Sequence, residues 1–231
     1  MRLRIVSWNC QMALYEKFDQ LLSLRPDVAI IPECASPEKD AQEERHLPCS
    51  SREWIGFNEN KGLGVFSFNG VKVSRHGSFS ENFKLYLPVV VSGPCDFHLL
   101  GVWMADARRI PTGTNNQPKD AVEFYREFLT AKPSVVAGDF NYCIPRDELK
   151  EMGLRSANGL WTSGTHYHKR KLDRPPFAVD YMFVPRRGAL HLSRFKLGDK
   201  HEWIRHSDHV PLVADFDIID HGTPRGWLVS V

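Results

Sequence analysis

The chain has 231 residues, 42% of them hydrophobic and 11% aromatic, which is enough apolar surface for a substantial core in one large domain spanning 1–231. Lys and Arg number 30 against 28 Asp and Glu, a formal net charge of +2, so bulk charge announces no nucleic-acid partner and any such attraction must come from a local basic patch. The 5 cysteines, an odd number with no C-x-x-C pair, argue against a disulfide framework and for a reducing compartment.

The N-terminal stretch Met1 to Ser7 alternates charged and apolar residues and has no signal-peptide core, and no apolar run approaches the length of a membrane span. The expectation is a soluble, cytoplasmic, monomeric protein without a membrane or inferable protein partner. Leu3 to Trp8 alternates as a strand and ends on Asn9. Met12 to Ser23 carries Leu14, Phe18, Leu21 and Leu22 at helical spacing, closed by Arg25-Pro26-Asp27. Val28 to Ile31 is a buried strand that ends at Pro32 and Glu33. A strand, a helix and a second strand, joined as a right-handed crossover, bring Asn9 and Glu33 to the same sheet edge.

Ala35 to Arg52 reads as a polar loop with a short helix. Gly62 to Phe68 and Val71 to Ser74 flank Asn69-Gly70, a strong hairpin signal, and Lys61 just before them reads by default as a solvated surface cation, with a phosphate contact as the alternative. Phe83 to Val91 and Phe97 to Trp103 are two further strands, and Ala105 to Gln117 is a broken loop holding Arg108 and Arg109. Asp120 begins an amphipathic helix whose Ala121, Phe124, Tyr125, Phe128 and Leu129 share a face, with Glu123 at capping-box spacing. Arg146 to Met152 is a short helix. After a loop that contains His166 and His168, Phe177 to Val184 is a strand with Asp180 inside it, and Leu190 to Leu197 and Val210 to Phe216 complete the chain. Both halves alternate strands and helices with polar residues at strand ends. That rhythm predicts an α/β fold, a four-layer α/β/β/α sandwich of two mixed sheets face to face with helices outside.

The chain is organised around Val135-Val136-Ala137-Gly138-Asp139-Phe140-Asn141, an apolar strand that stops at a glycine and presents a carboxylate and a carboxamide. In an extended chain Asp139 and Asn141 share a face while Phe140 points into the packing. Ser207-Asp208-His209 sits at the start of the last strand, where an antiparallel partner of the Val135 strand would bring it. Asn9, Glu33, Asp139, Asn141, Asp208 and His209 are oxygen or imidazole ligands at strand ends. Such hard donors favour Mg²⁺, with Mn²⁺ as a substitute, over Zn²⁺. Several carboxylates in one cleft require a cation, and phosphoryl transfer to water follows from that combination. Asp180 is costly in an apolar strand unless partnered. A hydrogen bond to His209 that keeps the imidazole charged, or backbone amides at a bulge, would meet that need.

Trp8-Asn9, Glu33, Gly138-Asp139-Phe140-Asn141, Asp180-Tyr181 and Ser207-Asp208-His209 run in order along nearly the whole chain and resemble the motif set of the endonuclease/exonuclease/phosphatase superfamily. That superfamily includes DNase-I-like nucleases, apurinic-site endonucleases, inositol polyphosphate phosphatases and sphingomyelinases. The resemblance implies a DNase-I-like sandwich and Mg²⁺-dependent phosphoester hydrolysis. It gives Glu33 as principal metal ligand with Asn9 and Asp208, Asp139 as the residue that orients water, Asn141 as a phosphate contact, and His209 with Asp180 as transition-state stabilisers. The family's usual His or Tyr at the end of the Phe97 strand is replaced by Trp103 and Met104. His168 is the first candidate for that role, His166 sharing its face in an extended loop, and Lys61, Arg108 and Arg109 follow. Two residues after Asn9, where apurinic-site nucleases carry an acid, stands Gln11. The expected activity is a Mg²⁺-dependent phosphodiesterase on nucleic acid, an endonuclease or exonuclease. The alternatives are a phosphomonoesterase on a phosphorylated small molecule or lipid head group, and a non-catalytic nucleic-acid-binding relative.

Overall fold

The computed structural model describes residues 1–104, 117–141, 144–159 and 164–219. The chain opens with β1 (Arg2–Ser7), a single turn of 3₁₀ helix, α1 (Phe18–Ser23) and β2 (Val28–Cys34), and β1 and β2 pair in parallel. Alternation along these strands is apolar on both sides. Ile5, Val28 and Ile30 face the central core, whereas Val6, Ala29 and Ile31 pack with Phe18 and Leu21 of α1 on the outer side. A strand buried on both faces reads as a continuous apolar run, which is why both were legible in the sequence.

The polar segment from Ala35 holds its expected short helix, α2 (Pro37–Gln42), and from Ser51 an additional strand, β3 (Ser51–Asn58), follows before β4 (Lys61–Ser67). β3 is an edge strand, half-buried along most of its length and carrying Arg52 and Glu53, so it lacks a clean apolar alternation. The Asn69-Gly70 hairpin is also corrected. Both residues have positive φ, 55° and 80°, as a tight turn demands, but β5 (Lys72–Arg75) does not return onto β4. Both edges of β4 are taken by β2 and β3, so the chain crosses to a second sheet and pairs β5 with β6 (Tyr86–Ser92).

β7 (Phe97–Trp103) follows, then α3 (Pro118–Phe124), α4 (Arg126–Ala131), β8 (Ser134–Asp139), α5 (Arg146–Glu151), β9 (Leu154–Ser156) and β10 (Asp180–Pro185). The helix expected to start at Asp120 starts two residues earlier on Pro118, with Gln117 as N-cap, and breaks at Tyr125. Glu123 pairs with Arg126 rather than closing a capping box, and Phe124 is 51% exposed. The proline removes one of the first-turn N–H groups that a helix start leaves unsatisfied. β11 (Leu190–Leu197), α6 (Lys200–Trp203) and β12 (Leu212–Ile218) bring the chain back to the first sheet.

The result is a DNase-I-like α/β/β/α sandwich. One six-stranded mixed sheet has the order β11-β12-β1-β2-β4-β3 and the other β5-β6-β7-β8-β10-β9. Their inner faces share one core that runs from Ile5, Ile30 and Leu63 to Leu100, Val136 and Met182. β12 is antiparallel to β1, not to β8 as expected; β8 takes β10 as its antiparallel partner. Burial pushes the Cys10 thiol up to about 12 and raises Cys34, so both behave as apolar filler; Cys143 lies outside the described residues. No helix among the described residues is long and apolar enough to cross a membrane.

Candidate active site

The two sheets deliver their polar strand ends to one cavity of about 700 Å³, whose walls include Glu33, Asp139, Asn141, Asp208 and His209. Gly138 makes the delivery possible on one side. At φ 148° it lies so close to β7 that a Cβ would stand 1.8 Å from the Val102 carbonyl oxygen. Asp139 follows at the strand end, and Phe140 is fully buried against Tyr181 and Phe183. Asn141 joins Asp139 in the cavity by a different route from strand alternation. Its backbone turns left-handed at φ 50°, its N–H donates to Asp139 Oδ1 at 2.9 Å, and its amide donates to the Met104 carbonyl.

Asp180 stands in register with Asp139 across the β8–β10 pair. His209 Nδ1 donates to Asp180 Oδ2 at 2.8 Å, and Asp180 and His209 are 1% and 7% exposed. Two neighbours fix the histidine: Trp8 Nε1 donates to its carbonyl at 3.0 Å, and Ser207 Oγ accepts its N–H at 3.1 Å while donating to the Asn9 carbonyl at 2.7 Å. Thr165, fully buried, does the same for the acid, its Oγ1 accepting from the N–H groups of Val179 at 3.1 Å and Asp180 at 3.0 Å.

The electrostatics separate the groups. Burial alone would lower the His209 pKa, but the charge and hydrogen bond of Asp180, with Asp139 and Asp208 behind, raise it to about 10, so the ring is an imidazolium at neutral pH. Burial and then the Asp180 charge push Asp139 up to about 7, against His209 and the bonds from Asn141 and Asn9. Burial also works to raise Asp208, yet the adjoining His166 and His209 bring it below the usual carboxylate range. Opposite environments thus leave Asp139 near neutrality and Asp208 firmly ionised, which suits one for proton transfer and the other for charge.

The expected site residues that are described take the following places. Asn9 donates from Nδ2 to Asp139 Oδ2 at 3.0 Å, and its Oδ1 accepts the Gln11 N–H at 2.9 Å. Glu33, at φ 65°, pairs with Lys61 Nζ at 2.9 Å, and that ammonium lies 5.7 Å from the Trp103 ring centre. Trp103 is in register with Asp139 and lines the cavity. His168 is exposed on a turn at the cavity rim. His166 sits deeper, with Nε2 3.5 Å from Asp208 Oδ2 and its ring centre 4.6 Å from that of His209. Arg108 and Arg109 lie outside the described residues.

Among the described residues, two sets have ligand atoms within 4.8 Å of one another: His166, Asp208 and His209, and Asp139, Asp180 and His209. Asn9 and Glu33 belong to neither set, although Asn9 touches Asp139 and Glu33 shares the cavity. The donor chemistry fits a hard divalent cation, since the carboxylates of Glu33, Asp139 and Asp208 line one cavity.

Three contributors were not read from the sequence as such. Gln11, taken only as a departure from an acid, donates from Nε2 to Asp208 Oδ2 at 3.0 Å and accepts from Arg170 Nε at 2.9 Å. Thr165 carried no pattern of its own. His166 was weighed beside His168, and the two-residue spacing was the available signal.

No protein-family model and no curated protein matches the sequence. Solved structures share its fold. The endonuclease domain of TRAS1, a telomere-specific non-LTR retrotransposon, is 14% identical with a TM-score of 0.68, covering 94% of this chain and 99% of that one. The 3' phosphatase NExo from Neisseria, bound to a product DNA hairpin, is 18% identical with a TM-score of 0.67, covering 93% and 99%. An endonuclease/exonuclease/phosphatase from Beutenbergia cavernae is 17% identical with a TM-score of 0.62, covering 94% and 72%.

Proposed function

We propose that this chain, which has the fold of the endonuclease/exonuclease/phosphatase proteins, is a Mg²⁺-dependent phosphodiesterase that cleaves nucleic acid as an endonuclease or exonuclease. It acts as one monomeric domain over 1–231 in the cytoplasm. The observation that carries the reading is the buried 2.8 Å bond between His209 and Asp180, set across one strand pair from Asp139, whose carboxyl burial and the Asp180 charge push up. A packing role explains neither a buried imidazolium nor a carboxylate held close to neutrality beside it. The substrate class is supported by the fold neighbours, among them an endonuclease domain and a phosphatase bound to DNA.

Glu33, Asp208 and Asn9 would hold Mg²⁺, or Mn²⁺ in its place. Bound there, such a cation would supply charge neutralisation for phosphate oxygens and the leaving oxygen. Asp139 orients the attacking water and takes its proton, with Asn9 and Asn141 holding the carboxylate in position. Asn141 also contacts the scissile phosphate. The His209 imidazolium faces the charge that develops on phosphorus-bound oxygens, and Asp180 keeps it protonated and aimed. Lys61, Trp103 and His168 contact the substrate at the cavity wall, and Arg108 and Arg109 are further substrate contacts.

A substrate panel tests the proposal: single- and double-stranded DNA, RNA, abasic duplex and small phosphoesters, each with Mg²⁺, Mn²⁺ and EDTA. Cleavage of nucleic acid that EDTA abolishes and added salt weakens is the expected result. Release of phosphate from a small monoester with every nucleic acid untouched would replace the nuclease by a phosphomonoesterase.

A further inference from the structure

Glu33 and Lys61 meet because two strand irregularities aim them at each other. In the β2–β4 ladder the register passes from Pro32–Leu63 to Cys34–Gly62, which leaves Glu33 as the extra residue, in the left-handed region at φ 65°. In the β3–β4 ladder it passes from Gly56–Gly62 to Asn58–Lys61, which leaves Phe57 extra beside Lys61. Bulges of this kind turn side chains out of the sheet and recur beside active sites, and a non-glycine residue at positive φ carries strain that the surroundings must hold. The two bulges put a carboxylate and an ammonium 2.9 Å apart, 19% and 22% exposed, in the wall of the catalytic cavity.

We propose that Lys61 is a phosphate-contacting residue held on Glu33 until the site is loaded, and that it competes with the divalent cation for that carboxylate. The inference rests on the metal-dependent reading above and adds an exchange to it. An ammonium has three donors and no acceptor, on a flexible stem, so one N–H on Glu33 leaves others for a phosphate. The Trp103 ring, 5.7 Å from Nζ, keeps the ammonium in the cavity by a cation–π contact once Glu33 is taken. Trp103 stands in register with Asp139, so the ammonium is retained at the wall beside the carboxylate that orients the water. β7 ends at Trp103, and Lys61 seated on that ring supplies a cationic donor there. Two cations repel at one carboxylate, so the Lys61–Glu33 pair opposes metal binding, and by linkage metal binding frees Lys61.

The test uses the full chain carrying Lys61→Met, with Lys61→Gln as a second variant and circular dichroism to show that each folds. Calorimetry measures Mn²⁺ affinity without substrate, and single-turnover cleavage of nucleic acid is followed at saturating Mn²⁺. Competition predicts Mn²⁺ binding about fivefold tighter, the scale of one partly exposed ion pair. Loss of the phosphate contact predicts cleavage ~10²-fold slower. A lysine that merely supported the fold would weaken both together. Unchanged or weaker Mn²⁺ binding, or an unchanged rate at saturation, overturns the exchange. A wild-type chain inert on every phosphoester overturns the nuclease reading instead.

Discussion

Asp180 and Asp139 stand directly opposite one another on β10 and β8, yet they are partnered unequally. Asp180 has the charged His209 at 2.8 Å, whereas Asp139 has neutral donors, the Asn9 amide and the Asn141 N–H. One carboxylate therefore belongs to an ion pair, and the other keeps a pKa near 7. The strand register alone sets these two roles side by side.

Stability in chelator should carry the mark of the ion pair. His209 has a pKa of about 10 when folded against 6.5 ordinarily, so over that range the native chain binds more protons than the unfolded one. Its stabilisation is complete below pH 6.5 and is lost as pH rises toward about 10. Asp139, at about 7 against 3.8, acts with the same sign over its own lower range. Urea midpoints of wild type and Asp180→Asn should converge as pH climbs through this upper window. A constant or widening gap would mean that the pair does not hold the imidazole charged.

Asp139→Asn should lower the cleavage rate by ~10³-fold, as removal of a general base does. The same change deletes a desolvated carboxylate beside Asp180. Thermal melting in EDTA should therefore be unchanged or slightly higher, activity and stability moving apart. A large drop in melting temperature would assign Asp139 to the fold.

Thr165→Val keeps the side-chain shape but leaves the N–H groups of Val179 and Asp180 without their acceptor. Each buried orphan costs about 1–3 kcal/mol. Urea denaturation should show a loss of that order, and the rate should fall as Asp180 loosens its hold on His209. Wild-type values in both assays would remove Thr165 from the site.

Gly138→Ala sets a Cβ against backbone rather than a yielding side chain, with the Val102 carbonyl oxygen at 1.8 Å and its carbon at 2.7 Å. A destabilisation of about 3 kcal/mol or more is expected from denaturant unfolding. A small change would show that β7 and β8 can separate at their polar ends.

Much of this site was legible because catalytic groups on strand ends announce themselves as polar residues that interrupt apolar runs. Asn9, Glu33, Asp139 and Asp180 all stand out in this way, and the cost of burying Asp180 was enough to anticipate His209 as its partner. Pairing was harder to read. Nothing local says that the chain leaves β4 for another sheet after Asn69-Gly70, because that depends on both β4 edges being occupied. β12 joins β1 for the same non-local reason. Asn141 reaches the cavity through a left-handed turn that alternation does not encode, and Thr165 and Gln11 matter only through what the fold sets beside them.

In the proposed reaction His209, charged by Asp180, works on a phosphoester in the cavity beside Asp139. Single-turnover cleavage of the best nucleic acid from the panel by wild type and His209→Ala, at saturating Mg²⁺, tests it most directly. A fall of ~10²- to 10³-fold in the chemical step, with Mg²⁺ still bound, is the expected result. A rate within a few-fold of wild type would contradict it.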